Sequence, residues 1–192
     1  PFWLKPGIFQ VLAFTGERAM SAGTEHITLA HATRICDGAV AACLSHGFAP
    51  VTVHVCNEHG EPIAFQRMDG CNGLLTPDVA RCKAYTAVSL RMSSRAFREK
   101  YTTGNESAKY GQMLSMVSIS GGNLAPFPGG IVVKSNSGVL IGGVGVSGAA
   151  GDEDEFCALQ AVKEAGFGFF TEPAEHSLKL GQKRSREEQD AK

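Results

Sequence analysis

From Val139 to Gly148 the chain reads VLIGGVGVSG, and Gly143, Gly145 and Gly148 within it spell G-x-G-x-x-G. In a dinucleotide-binding fold that spacing grips a pyrophosphate, but only on the first turn of a βαβ unit with another strand and an acidic residue about 20 residues further on. Here a single helix-forming segment and a polar stretch follow Gly148. The preceding residues point the other way: IVVKS and GVLIGGVGV are joined by Asn136, Ser137 and Gly138, which make a short hairpin turn. The glycines therefore belong to the second strand of an antiparallel hairpin. Glycine at 142, 143 and 145 inside a strand implies something packed close against the backbone: a helix, a neighbouring subunit or a flat ligand.

The segments upstream extend the same pattern. Leu29, Ala32, Cys36, Ala39, Val40 and Cys43 recur at helical spacing over Ile27 to His46, and Gly47 closes the run. VTVHVCN and PIAFQRM flank the turn-like NEHGE and read as a second hairpin. Thr76 as N-cap, Pro77 and Asp78 open a helix to about Arg91. Residues 94–117 read as a shorter helix and then irregular chain with a helical turn near Tyr110 to Met116, and NLAPFPGG is a loop. Asp152 with Glu155 three residues on forms a capping box for a last helix that Gly166 ends. The order is α-β-β-α-β-β-α. It specifies an α+β fold, a central antiparallel sheet of two hairpins flanked by helices. One domain is expected over residues 25–168, with a peripheral extension at 1–24 and a polar, disordered tail at 169–192.

Composition narrows the function classes. With a net charge of -1 over 192 residues there is no basic field for nucleic acid, and no apolar run approaches the roughly 20 residues of a membrane span. Six cysteines are scattered without a C-x-x-C pair, which predicts buried thiols in a reducing, cytoplasmic compartment and no metal site. The apolar Ile8 to Phe14 is barely long enough for the core of a targeting segment. Whether it is one, or lies upstream of a start at Met20, residues 1–24 fall outside the domain.

Lys83 shares a helix face with Ala80, Ala84 and Ala87, a small apolar setting that makes a lysine unexpected. It binds a carboxylate or has a pKa lowered for catalysis, or else its charge reaches solvent. Arg67 and Asp69 are the expected partners, an arginine fork for a ligand carboxylate and a counter-charge for Lys83. Asp154 falls in the first turn of the last helix, where it caps amides. The acids in DEDE point around the helix and cannot converge on one ion. Ser147 does not fit the G-x-S-x-G elbow of a hydrolase, but with the amides of Gly145 to Gly148 it offers a small anion-binding turn.

ITLAHA, FQRMDG, KAYTA, PGG and GGVGVSGAAGDEDEFCA, in this order and at these separations, resemble the GlcG/HbpS-like family, which includes haem-binding HbpS proteins and the C-terminal domain of PduO-type proteins. The resemblance covers about residues 25–165. It implies a profilin-like fold and homo-oligomers from dimer up to octamer. It also implies small-molecule binding, with haem as a cofactor and assistance in its degradation as one role. Matched motif by motif, the family's marked positions fall on Arg67, Asp69, Lys83, Gly129, Gly130, Gly145, Ser147, Gly148 and Asp154. If haem binds, His31 on the first helix, His54 on a strand and His59 at the hairpin tip are candidate axial ligands, His31 and His59 ahead of His54. Two departures alter the pocket edge: Cys56 to Gly60 replaces a Val-Asp strand end with its Gly-Gly turn, and Ile131 stands where a proline follows the paired glycines. Three readings stay open: a binding protein, an enzyme acting on a small carboxylate or oxygenated metabolite through Lys83 and Arg67, and a structural or regulatory module.

Overall fold

Helix α1 spans Leu29–His46 because both of its ends are chemically fixed. Thr28 Oγ1 accepts from the His31 N–H while His31 Nδ1 accepts from the Thr28 N–H, each at 3.2 Å, so two donors of the first turn are satisfied reciprocally. Gly47, at φ 65°, ends the helix in the left-handed conformation that glycine adopts without steric cost. The computed structural model describes residues 26–104 and 106–175. The expected extension at 1–24 and most of the expected tail lie outside the described residues.

After α1 come β1 (Thr52–Asn57) and β2 (Pro62–Arg67), then three helices, α2 (Thr76–Leu90), α3 (Ser94–Thr102) and α4 (Ser107–Ile119). The chain continues through β3 (Gly130–Lys134), β4 (Leu140–Ser147), α5 (Gly151–Glu164) and β5 (Phe170–Glu172). The strands form one antiparallel sheet in the order β2-β1-β4-β3-β5, with each expected hairpin present and β1 joined to β4 at the centre. Helices α1 and α5 pack together on one face, where Ile35, Ala39, Cys43, Ala158 and Val162 meet Val53, Val55, Val133, Val144 and Val146. Helix α2 lies on the other face, across β4, β1 and β3. Phe97, Tyr101, Met113 and Leu124 form a smaller core around α3 and α4. The fold is α+β of the profilin-like kind. The side chains of Thr52 to Cys56 are all buried, because helices cover both faces of the sheet and leave β1 no solvent side.

The element order departs from expectation in two places. Residues 94–119 form two full helices rather than one and a turn. Ser93 Oγ accepts from the Ala96 N–H and caps α3, and Phe97 and Tyr101 set its buried stripe. Of the helical residues of α4, Met113 alone is buried, so its sequence carries almost no period. Residues 170–172, expected in the polar tail, add β5 to the edge of the sheet, tied to β3 by an ion pair between Lys134 and Glu172.

Two caps also differ. Thr76 is the first helical residue of α2 rather than its N-cap, and its hydroxyl donates to the Asn72 carbonyl. Helix α5 starts at Gly151, and Glu153, not Glu155, reaches back to accept from the Ala150 N–H at 3.0 Å. Glu155 is instead fully buried.

Gly111 is an exposed interior residue of α4, and a Cβ built there meets nothing within 4 Å. Gly111→Ala is expected to stabilise the protein by about 0.5–1 kcal/mol through backbone entropy, read as a higher urea midpoint at unchanged slope.

Candidate functional site

The glycine strand is where the site begins. A Cβ on Gly145 would lie 2.0 Å from the Ala80 carbonyl oxygen and 2.7 Å from the Ala84 nitrogen; one on Gly130 would lie 2.3 Å from the carbonyl oxygen of Lys83. Of the three occupants a glycine strand admits, the one seated here is helix α2. Its backbone rests directly on β4 and β3, and the alanines on its face let it sink that far.

Depth brings Lys83 under the sheet's end rather than out to solvent. Its ammonium, 3% exposed, donates to the Val146 carbonyl at 2.7 Å and to Asp154 Oδ2 at 2.8 Å. Asp154 Oδ1 accepts from the Ala149 N–H at 3.0 Å, so this carboxylate ties α2 to the turn that starts α5. Gly129, at φ 116°, closes over the pair, and a Cβ there would stand 2.9 Å from the Lys83 ammonium. Burial lowers the Lys83 pKa, and burial pushes the Asp154 carboxyl up to about 6 against the pull of Lys83 beside it.

A second ionic group stands next to the first. Arg95 on α3 donates through Nε to Glu155 Oε2 at 2.8 Å and through Nη2 to Asp152 Oδ1, so α3 and α5 are clamped by one guanidinium. Arg98, one helical turn further along α3, is half-buried, and among the described residues its guanidinium has no partner. The Ser147 hydroxyl, at the end of β4, likewise makes no hydrogen bond to any described residue. Lys83, Arg95, Arg98, Ser147, Asp152 and Asp154 line one cleft of about 610 Å3, walled on its apolar side by Val79, Phe127 and Pro128.

Arg67 and Asp69 are elsewhere. The expected counter-charge of Lys83 is Asp154 rather than Asp69, because the Lys83 side chain runs toward the start of α5. Arg67 donates to the Cys71 carbonyl at 2.9 Å, and with Asp69 it borders a shallow depression of about 470 Å3 beside α1. Gly148, between the cleft's Ser147 and the Ala149 amide that Asp154 accepts from, packs against the Pro50 carbonyl and is not itself among the cleft's lining residues. His31 is held in the α1 cap, its ring 4.2 Å from that of Phe167. His59 is exposed at the β1–β2 turn, 3.5 Å from Glu58. Neither lines the cleft. Among the described residues no group of three His, Cys, Asp or Glu side chains is placed to hold a metal ion, all six cysteines are free and buried, and no helix is long and apolar enough to cross a membrane.

The family model described as haem degrading protein HbpS-like matches residues 27–163. The chain belongs to the HbpS-like family. An uncharacterized 15.0 kDa protein from the dhaT-dhaS intergenic region of Citrobacter freundii is 32% identical to this HbpS-like chain over 136 residues, 71% of this chain and 89% of that one. A double mutant of HbpS from Streptomyces reticuli superposes with a TM-score of 0.62 at 29% identity, over 84% of this chain and 99% of its own. The PduOC:heme complex superposes at 0.63 with 24% identity, over 72% and 94% of the two chains, a likeness of fold.

The sequence missed Arg95, Arg98 and Phe127 of this HbpS-like cleft. Two arginines three apart behind a serine cap were the available signal, but a segment read as half irregular has no face on which to place them. His54, the strand histidine among the candidate haem ligands, does not line the cleft either. It is 5% exposed on β1, its Nε2 is unpartnered among the described residues, and burial, aided by the Arg81 charge, holds its imidazole down to about 4. The folded state keeps His54 neutral while the unfolded chain protonates it near 6.5, so its contribution to stability is present above that pH and is lost as the pH falls toward 4. Asp154, whose value is raised, acts in the opposite sense between its ordinary range and about 6. The difference between wild type and His54→Leu isolates the histidine: relative to wild type the variant should gain about 2–3 kcal/mol on going from pH 7 to pH 4, measured by denaturant titration at each pH.

Proposed function

We propose that this HbpS-like protein binds a small molecule in the cleft between α2, α3 and α5. One observation carries the reading: in a cleft whose other two cations each hold a carboxylate, the Arg98 guanidinium and the Ser147 hydroxyl are left, among the described residues, as donors without acceptors. Pockets that bind small molecules combine an apolar wall with a few such convergent polar groups. Crystals of the protein taken directly from cells should show density in contact with Arg98, Ser147 and Phe127. Density at another site with this cleft empty would reject the assignment.

Haem is the second reading, favoured by the family's description and by the HbpS relatives at 27 and 29% identity. The cleft does not fit haem through its iron, since no His, Cys, Met or Tyr is among its lining residues. His59 stands beyond Asn57, which pairs with Gly142, whereas the cleft takes Ser147, paired with Thr52. Five residues of strand, about 16 Å, separate the two ends. Titration with haemin tests this reading: a saturable Soret shift that disappears in His59→Ala supports a site at the hairpin, and spectra identical to free haemin reject it. Burial lowers the Lys83 pKa, as a catalytic role would use, but its ammonium is held by two acceptors, which favours a bracing role over that of an acid or base. Self-association, from dimer up to octamer, is also proposed. Leu74, Leu75 and Phe65, 92, 71 and 49% exposed, support it, and light scattering would measure it.

A further inference from the structure

We infer that Ser94 is a positioning residue for the ligand cleft: its hydroxyl stands inside the turn at 127–130 and sets how far the Phe127 wall lies from the Arg98 guanidinium. The inference rests on the cleft being the ligand site and names what fixes its width. Ser94 is the first residue of α3 and is fully buried. Its hydroxyl donates to the Phe127 carbonyl and accepts from the Gly130 N–H at 2.8 Å. Those two groups are the acceptor and the donor that a β-turn over Phe127, Pro128, Gly129 and Gly130 would join directly.

The residues of this turn suit one that closes on itself. Proline fits its second position and glycine its third, and Gly129 has the positive φ, 116°, that such a turn requires there. No direct bond joins the two ends, because the Ser94 oxygen occupies the gap. A hydroxyl between two partners holds them roughly 4–5 Å apart, where a direct bond would bring the Gly130 nitrogen and the Phe127 oxygen to about 2.9 Å. The same two groups can thus be satisfied in two ways, and Ser94 selects the wider one.

The anchors on either side decide which part would move. The Gly129 carbonyl accepts from the Val146 N–H at 2.9 Å and Gly130 pairs with Gly145, so the glycine end is fixed to β4. On the other side the Ala125 N–H donates to the Thr86 hydroxyl of α2 at 2.8 Å. Between these anchors Pro126 and Pro128 have no N–H to give, and the Ser94 hydroxyl is what holds the Phe127 carbonyl. Phe127 and Pro128, the apolar wall, are therefore the movable part, and the 53% exposure of Phe127 leaves its ring room to travel. Arg98 lies four residues beyond Ser94, one turn along the same side of α3, and Arg95 between them clamps that turn to α5. A single rigid turn of helix thus spaces the ring from the guanidinium.

The experiment compares the full chain with its Ser94→Ala variant by NMR. The scalar coupling across a direct hydrogen bond, from the Gly130 nitrogen to the Phe127 carbonyl carbon, should be absent in wild type and present in the variant. A crystal structure of the variant should show the Phe127 carbonyl displaced by roughly 1–2 Å. Benzoate and acetate are the ligand probes, followed through the amides of Ser147, Gly151 and Asp152. Benzoate, whose ring meets the wall, should bind Ser94→Ala about fivefold or more weakly than wild type, and acetate, which reaches only the donors, should bind both alike. A coupling already present in wild type would overturn the inference without any variant having to fold. No coupling in the variant, equal loss of benzoate and acetate, benzoate binding unchanged, or neither anion moving these amides in wild type would overturn it as well. Cell-derived crystals with the cleft empty reject the ligand site itself, so the two failures are distinguishable.

Discussion

Lys83→Ala is expected to cost about 3–5 kcal/mol of stability, because it leaves the Asp154 carboxylate buried with no cation beside it. A domain of this size is stable by about 5–15 kcal/mol, so much of the variant should be unfolded at physiological temperature. The loss should be larger at neutral than at acid pH, since a protonated Asp154 no longer needs a counter-charge. Pairing Lys83→Met with Asp154→Asn should recover most of the stability, because two neutral groups of similar volume no longer need each other. Denaturant melts of the two single variants and the double variant form the test. If the double variant were as unstable as the sum of the singles, the pair would not be coupled, and the account of Lys83 as a buried brace would fall.

Gly145→Ala is expected to be at least as damaging. The added carbon would lie 2.0 Å from the Ala80 carbonyl oxygen, a backbone atom of a packed helix that cannot swing aside like the tip of a side chain. Helix α2 must lift off β4 over much of its length, which separates Lys83 from Val146 and Asp154 together. Overpacking of a core usually costs about 1–3 kcal/mol, and a clash with backbone lies above that range. The variant should accumulate mainly in the insoluble fraction, or unfold at least 10 °C lower where it is soluble. A soluble variant melting within a few degrees of wild type would mean that α2 is seated less deeply on the strand than the geometry shows.

These two residues also mark how far the sequence could be read. The glycine strand, its hairpin partner and the helix before it are legible because strand alternation, turn chemistry and helix caps are local. The meaning of the glycines as a bed for α2 is legible as one of three choices, and which of them holds depends on a segment more than 50 residues away. Lys83 stands out against its alanine neighbours. Its partner was misplaced onto Asp69, since no local pattern says toward which strand end a lysine on α2 will reach. Arg95 and Arg98 show a different limit. A nine-residue helix with two apolar anchors, followed by a helix with one buried residue, gives too little periodicity to define a face, and the cleft's cations sit on that face. Glu155 was read as a capping residue because the box spacing fits; burial by Arg95 is a tertiary effect that spacing does not record.

The Lys83–Asp154 contact joins residues 71 apart. At about 5–20 residues per second, a ribosome that has just added Lys83 needs roughly 4–14 s more to supply its counter-ion. Until then α2 cannot settle on the glycine strand without taking a bare ammonium out of water. The last helix is thus the event that locks the others. A chain cut short before α5 would carry every strand of the central three and still be unable to close over them.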